Sequence, residues 1–148
     1  SVPPFWIDMP KLFELYVLGL LKERYGSKIQ FQVKGNYGEP DFLLINESEK
    51  VVIDTKYKRI YQNSDLNQDR YNSDDIRQIC GYARDRKILE KLGYKTPEME
   101  NVVVDCLIIY PDQAMSEKLP LNYKGKENEI KQFTKFYKVA IKLPCLND

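Results

Sequence analysis

The chain has 148 residues, 43% of them hydrophobic, and a formal net charge of +1 from 23 basic and 22 acidic side chains. This length and apolar content suit one domain with its own core. The charge balance excludes a partner role resting on basic excess alone.

Histidine is absent, which removes every Ser/His and Cys/His catalytic scheme. Cys80, Cys106 and Cys145 stand apart without CxxC spacing, so neither a zinc or iron–sulfur site nor a disulfide framework is expected. Cys80 and Cys106 lie in apolar contexts and read as small core residues. Any chemistry falls to carboxylates, lysine, tyrosine or a metal held by oxygen. No apolar run approaches the roughly 20 residues of a membrane span. The opening SVPPFWIDMP shows no signal-peptide pattern and no initiator methionine. The expectation is a cytoplasmic domain over residues 1–148, a C-terminal piece of a longer protein.

Residues 9–25, MPKLFELYVLGLLKERY, predict a helix. Asp8 is placed to cap it, Pro10 falls in its first turn and Gly26 follows its last. Leu12, Phe13, Tyr16, Val17, Leu20 and Leu21 form an apolar stripe. Leu15 and Leu18 extend it to further sides, which predicts a well-buried helix. Glu14 is a carboxylate inside that run.

Three strands are expected next, at 28–33, 41–45 and 50–57, the last two joined by the polar turn NESE at 46–49. Residues 59–72 are polar and without periodicity, and predict a mobile loop. A second helix is expected over 74–92, with Ser73 as cap, Asp74 and Asp75 facing its dipole and Gly93 ending it. Its buried side would be Ile76, Ile79, Cys80, Ala83 and Leu89. The run VVVDCLIIY at 102–110 predicts a strand covered on both faces. KFYKVAIKL at 135–143 alternates, with Tyr137, Val139 and Ile141 on one face and Lys138 and Lys142 on the other. The order α-β-β-β-α-β-β describes a mixed α/β sheet flanked by helices.

Chemistry gathers around the second and third strands. Glu39-Pro40-Asp41 opens one and Asp54-Thr55-Lys56 closes the other. In a strand Asp54 and Lys56 project to one face. Alone, that pattern describes a surface ion pair worth at most about 1 kcal/mol. Asp41 and Asp54 need not lie opposite one another, but both can reach one end of the sheet. Together with the Thr55 carbonyl they form an oxygen set suited to Mg²⁺, and Lys56 stands beside them to orient or help deprotonate a bound water. Gln78 and Tyr82 share a helix face, where an amide and a phenol could hold a phosphate or a water.

Glu14, Pro40-Asp41, Asp54-x-Lys56 and Gln78-xxx-Tyr82 together resemble the PD-(D/E)xK nuclease superfamily, with the QxxxY helix of its RecB-like branch. PDFLL, VVIDTKYK and DIRQICGYA are most similar to nuclease domains of the McrC type, the cleavage subunits of McrBC restriction systems. The resemblance covers roughly residues 8–110. It implies a restriction-endonuclease-like core and Mg²⁺-dependent DNA cleavage, with Mn²⁺ as a substitute. Asp41, Asp54, Glu14 and the Thr55 carbonyl become the metal set, Lys56 the residue beside the attacking water, and Gln78 and Tyr82 auxiliary site residues. DNA and a McrB-like AAA+ GTPase subunit are the implied partners, because no P-loop occurs in this chain. Paired active sites, in a dimer or a partner assembly, would be needed to cut both strands. The alternatives are a stand-alone repair or junction nuclease of the same superfamily, and a non-catalytic DNA- or partner-binding module.

Overall fold

A computed structural model describes residues 8–58 and 73–144 of the chain. Cys145 and the loop expected at 59–72 lie outside the described residues.

Helix α1 (Met9–Tyr25) starts where expected. The Asp8 carboxylate accepts from the Lys11 amide at 3.1 Å, so one of the amides left unpaired at a helix start is satisfied. Only Phe13, Val17 and Leu21 of α1 are fully buried, and Leu15 is 53% exposed. This corrects the expectation of a helix covered on several sides. The helix lies against one face of the sheet, and a stripe spaced by four residues is what that face can bury. Each of these three side chains contributes about 1.5–3 kcal/mol of burial.

Strands β1 (Ile29–Phe31), β2 (Phe42–Ile45) and β3 (Lys50–Thr55) pair antiparallel in sequence order. The β2–β3 turn is closed by Asn46, whose Oδ1 accepts from the amides of Ser48 (2.9 Å) and Glu49 (2.6 Å). Beyond β3, the expected single helix is two: α2 (Ser73–Tyr82) and α3 (Arg86–Lys91). Ser73 is the first helical residue of α2 and not a cap outside it. The break has a local cause. Asp85 accepts from the Lys87 amide at 2.9 Å and caps α3, and its carboxylate also takes both the main-chain and side-chain nitrogens of Asn36. An aspartate so engaged favours a helix start over a helix interior. A short α4 (Thr96–Met99) follows, which the sequence reading did not anticipate.

Strands β4 (Asp105–Pro111) and β5 (Phe136–Ile141) extend the sheet in parallel, giving the order β1-β2-β3-β4-β5 among the described residues. β4 begins three residues later than expected, and Val103 ahead of it is 51% exposed. The result is an α/β fold with an open, mixed, five-stranded sheet flanked by helices, consistent with a restriction-endonuclease-like core. One core lies between the sheet and α1, around Phe13, Val17, Val51, Ile53, Leu107 and Val139. The other lies under α2 and α3, around Val52, Ile76, Ile79, Ile88, Ile108 and Phe136. Lys138, on the face of β5 opposite Tyr137, Val139 and Ile141, is buried too, because both faces of β5 are covered. No helix among the described residues is long and apolar enough to cross a membrane.

Candidate active site

The antiparallel register ends at Phe42↔Ile53. One step further, Asp41 and Asp54 face each other across the end of the hairpin. The Asp41 amide donates to Asp54 Oδ1 at 3.0 Å. In return, Asp41 Oδ2 accepts from both the amide and the hydroxyl of Thr55, each at 2.7 Å. Thr55 is therefore engaged with Asp41 through its nitrogen and Oγ1, a role the sequence reading did not assign to it.

The two carboxylates serve opposite layers. Asp41 hydrogen-bonds with Glu14 of α1, and Lys11 one turn earlier donates to Glu14 Oε2 at 2.8 Å. Burial first, and then the Asp41 contact, push the Glu14 carboxyl above its ordinary pKa. Asp41 is raised as well, by burial and then by the Asp54 charge, with the Glu14 and Thr55 hydrogen bonds opposing. Three carboxyl groups thus crowd one end of the sheet, two of them holding protons more tightly than usual. A cleft of about 310 Å³ opens beside Glu14, Glu39 and Asp41.

Asp54 faces the α2 layer. Its Oδ2 lies 2.9 Å from the Lys56 ammonium, which also donates to Gln78 Oε1 at 3.1 Å. Burial pulls the Lys56 pKa down, but the charge and hydrogen bond of Asp54, helped by Asp75 and Asp41, outweigh it and leave it raised. Lys56 is thus a cation at neutral pH, suited to orient an oxygen or neutralise charge. Tyr82, one turn after Gln78, is buried. Its phenol is raised by burial first and then by Asp54, with Lys56 and the Glu39 amide opposing, which places it within electrostatic reach of the cluster.

All six candidate side chains, Glu14, Asp41, Asp54, Lys56, Gln78 and Tyr82, therefore gather around the end of β3, Glu14 from the α1 face of the sheet and Gln78 and Tyr82 from the α2 face. One further residue belongs with them. Asp75 of α2 is buried, grips the Lys58 ammonium at 2.8 and 3.1 Å, and stands 3.6 Å from Lys56. The sequence offered Asp75 as a complement to the helix dipole. Its position one turn before Gln78 was the available signal for a site role.

Among the described residues, no three His, Cys, Asp or Glu side chains form a ready-made metal cage. The donors nevertheless fit a hard cation. Mg²⁺ needs only one or two carboxylates, with waters and substrate oxygens completing its shell. Burial raises Glu14 and Asp41 first and neighbouring carboxylates second, and a bound cation would relieve the second cause.

A family model described as McrBC 5-methylcytosine restriction system component matches residues 2–94. No curated protein and no solved structure matches the chain.

Proposed function

The chain belongs to the McrBC 5-methylcytosine restriction system component family, and from that premise we propose that it is the DNA-cleaving part of such a system, a Mg²⁺-dependent phosphodiesterase. The observation that carries this reading is the junction at the end of β3. There Asp41 and Asp54 fix each other, and Lys56 stands 2.9 Å from Asp54. Asp41 and Asp54, with Glu14 and the Thr55 carbonyl beside them, would hold the metal. When bound, the cation would lower the pKa of a water and offset charge growing on the phosphate.

The chain's own groups do the remaining work. The Lys56 ammonium, oriented by Gln78, neutralises charge on an oxygen placed beside Asp54. Tyr82 closes the inner wall with its hydroxyl near the same charges. Glu14 and Asp41, both raised by burial first and then by neighbouring carboxylates, hold their protons more tightly than usual, and a cation would favour their ionised forms. The crowding of carboxylates beside one lysine favours this reading over a non-catalytic module, since perturbed groups clustered at a cleft are the mark of functional sites.

A restriction component of this family acts within a system. The reading therefore includes a partner subunit, proposed as an AAA+ GTPase of the McrB type, that recognises modified DNA and delivers the cleavage sites, in pairs for double-strand cuts.

The test is cleavage of plasmid DNA with Mg²⁺ or Mn²⁺, alone and with the partner GTPase. Wild-type cutting that needs the metal and is lost in Asp54→Asn and Lys56→Ala is the expected result. Cutting by both variants at the wild-type rate would remove the site assignment.

A further inference from the structure

Beside Gln78 and Tyr82 a second cleft of about 540 Å³ opens, lined by Asn36, Tyr37, Arg77, Gly81, Arg84 and Arg86. Its outer wall is a tight turn closed by the Gly35 amide donating to the Gly38 carbonyl at 2.7 Å. That turn is clamped to the helices. Asn36 donates twice to Asp85, at 2.5 and 2.7 Å. A Cβ on Gly35 would meet Asp85 Oδ2 at 2.5 Å and Ile88 Cδ1 at 2.8 Å. Gly38 has φ +134°, and a Cβ there would sit 3.0 Å from the Tyr82 ring. Yet at the tip of this fixed turn the Tyr37 side chain is 97% exposed. An aromatic ring carried into water by a fixed turn beside a cleft is suited to stacking on a planar ligand.

The cleft's charges are arranged to match. The guanidinium groups of Arg77 and Arg84 make no hydrogen bond or ion pair among the described residues, whereas Arg86 is held by Glu100 at 2.6 Å. Asp85, the acidic group of the lining, has both oxygens engaged by Asn36 and Lys87. Gly81 lines the same cleft. It lies in the last turn of α2, and a Cβ there would meet nothing within 4 Å. Glycine weakens a helix relative to alanine, and neither backbone nor packing calls for it here. Its absent side chain leaves room for a ligand to approach the helix.

We propose that this cleft carries the substrate DNA strand beyond the site, with Arg77 and Arg84 holding phosphates, Tyr37 stacking on a base and Gly81 giving the backbone clearance. The proposal rests on the nuclease reading, because Gln78 and Tyr82 line this cleft and also belong to the candidate active site.

The test is fluorescence anisotropy of labelled single- and double-stranded oligonucleotides on the full chain, without divalent metal and across a salt series. The Arg77→Ala/Arg84→Ala pair should weaken binding at least tenfold at low salt and flatten the slope of log K against log salt by about 1.4–1.8, two phosphate contacts' worth. Tyr37→Ala should cost about fivefold or more for single strands at unchanged slope. Gly81→Gln should weaken binding while raising the melting midpoint slightly, as expected for glycine replaced by a better helix former. Absence of wild-type binding at low salt, or an arginine pair with wild-type affinity and slope, would overturn the proposal. Cleavage by Asp54→Asn, measured in parallel, reads the nuclease assignment separately. Indifferent arginines with Asp54-dependent cutting remove the cleft and keep the nuclease. Arginine-dependent binding with Asp54-independent cutting keeps the cleft and removes the assignment of the site to Asp54.

Discussion

Asp41 and Asp54 hold each other in place: the Asp41 amide donates to Asp54 Oδ1 at 3.0 Å, and the Asp41 carboxylate accepts from the amide of Thr55, the next residue along, at 2.7 Å. Each carboxylate is thereby fixed by the main chain of the other's strand. A site built this way sits on the rigid end of a hairpin, and its geometry follows from the β2–β3 register.

Asp54→Asn keeps an acceptor for the Asp41 amide and removes the charge. Cleavage should fall on the order of 10²-fold or more, the scale of single charge-stabilising groups. Stability should fall by roughly 1–3 kcal/mol, because the buried Asp54–Lys56 pair is weakened while Gln78 and Asp75 remain near Lys56. Cleavage rates and a urea melt on the same preparation separate the two effects.

Thr55→Val deletes the hydroxyl that donates to Asp41 at 2.7 Å and leaves the amide in place. Stability should drop by about 1–2 kcal/mol, as for a part-buried hydrogen bond to a carboxylate. Cleavage should fall with it, and Thr55→Ser should restore both. A valine variant as active and as stable as wild type would mean the hydroxyl does not position Asp41.

Asp75 acts through the lysines it holds. Asp75→Asn removes the charge facing Lys58 and Lys56, and should destabilise the fold by roughly 1–3 kcal/mol, the cost of weakening a buried hydrogen-bonded ion pair. Because Lys56 keeps Asp54 and Gln78, cleavage should suffer less than in Lys56→Ala. The Lys56 side-chain nitrogen resonance should titrate at lower pH in the variant, a change that a purely structural role would not produce.

On the α1 side of the sheet, the Tyr123 hydroxyl donates to the buried Asp105 carboxylate at 2.9 Å, and Lys124 lies 3.1 Å from the same oxygen. Burial first, then the Asp105 charge and hydrogen bond, push the Tyr123 phenol far above its ordinary pKa. In the unfolded chain that phenol ionises near pH 10. Above this pH the unfolded state binds fewer protons than the native one, so stability falls as pH rises; below it the contribution is fully present. Chemical denaturation between pH 8 and 11 should show this decline, with a flatter slope in Tyr123→Phe. Equal slopes would contradict the assignment.

Much of the frame is legible in local signals. Asp8 before an apolar run marks the start of α1, and the Asn46 turn between apolar segments fixes the β2–β3 hairpin and hence the meeting of Asp41 and Asp54. What stayed hidden depends on contacts distant in sequence. The break between α2 and α3 turns on Asp85, whose partner Asn36 lies 49 residues away. The alternation in β5 assigns Lys138 to a face, but its burial follows only from the cover over both faces of the strand. Asp75 looks like a charge facing a helix dipole because Lys56 and Lys58 approach it only in three dimensions. Glu14 was conspicuous as a carboxylate within an apolar stretch, but only the packing of α1 on the sheet brings it to Asp41.

The central claim is that the Asp41–Asp54 junction is a metal site for DNA cleavage. The most direct measurement is a crystal structure of the chain soaked in Mn²⁺, read by anomalous scattering. One strong peak is expected between the carboxylates of Asp41 and Asp54, lost in Asp54→Asn crystals. No peak there at saturating Mn²⁺ with DNA bound, or a peak elsewhere that survives the Asp54→Asn change, would contradict it.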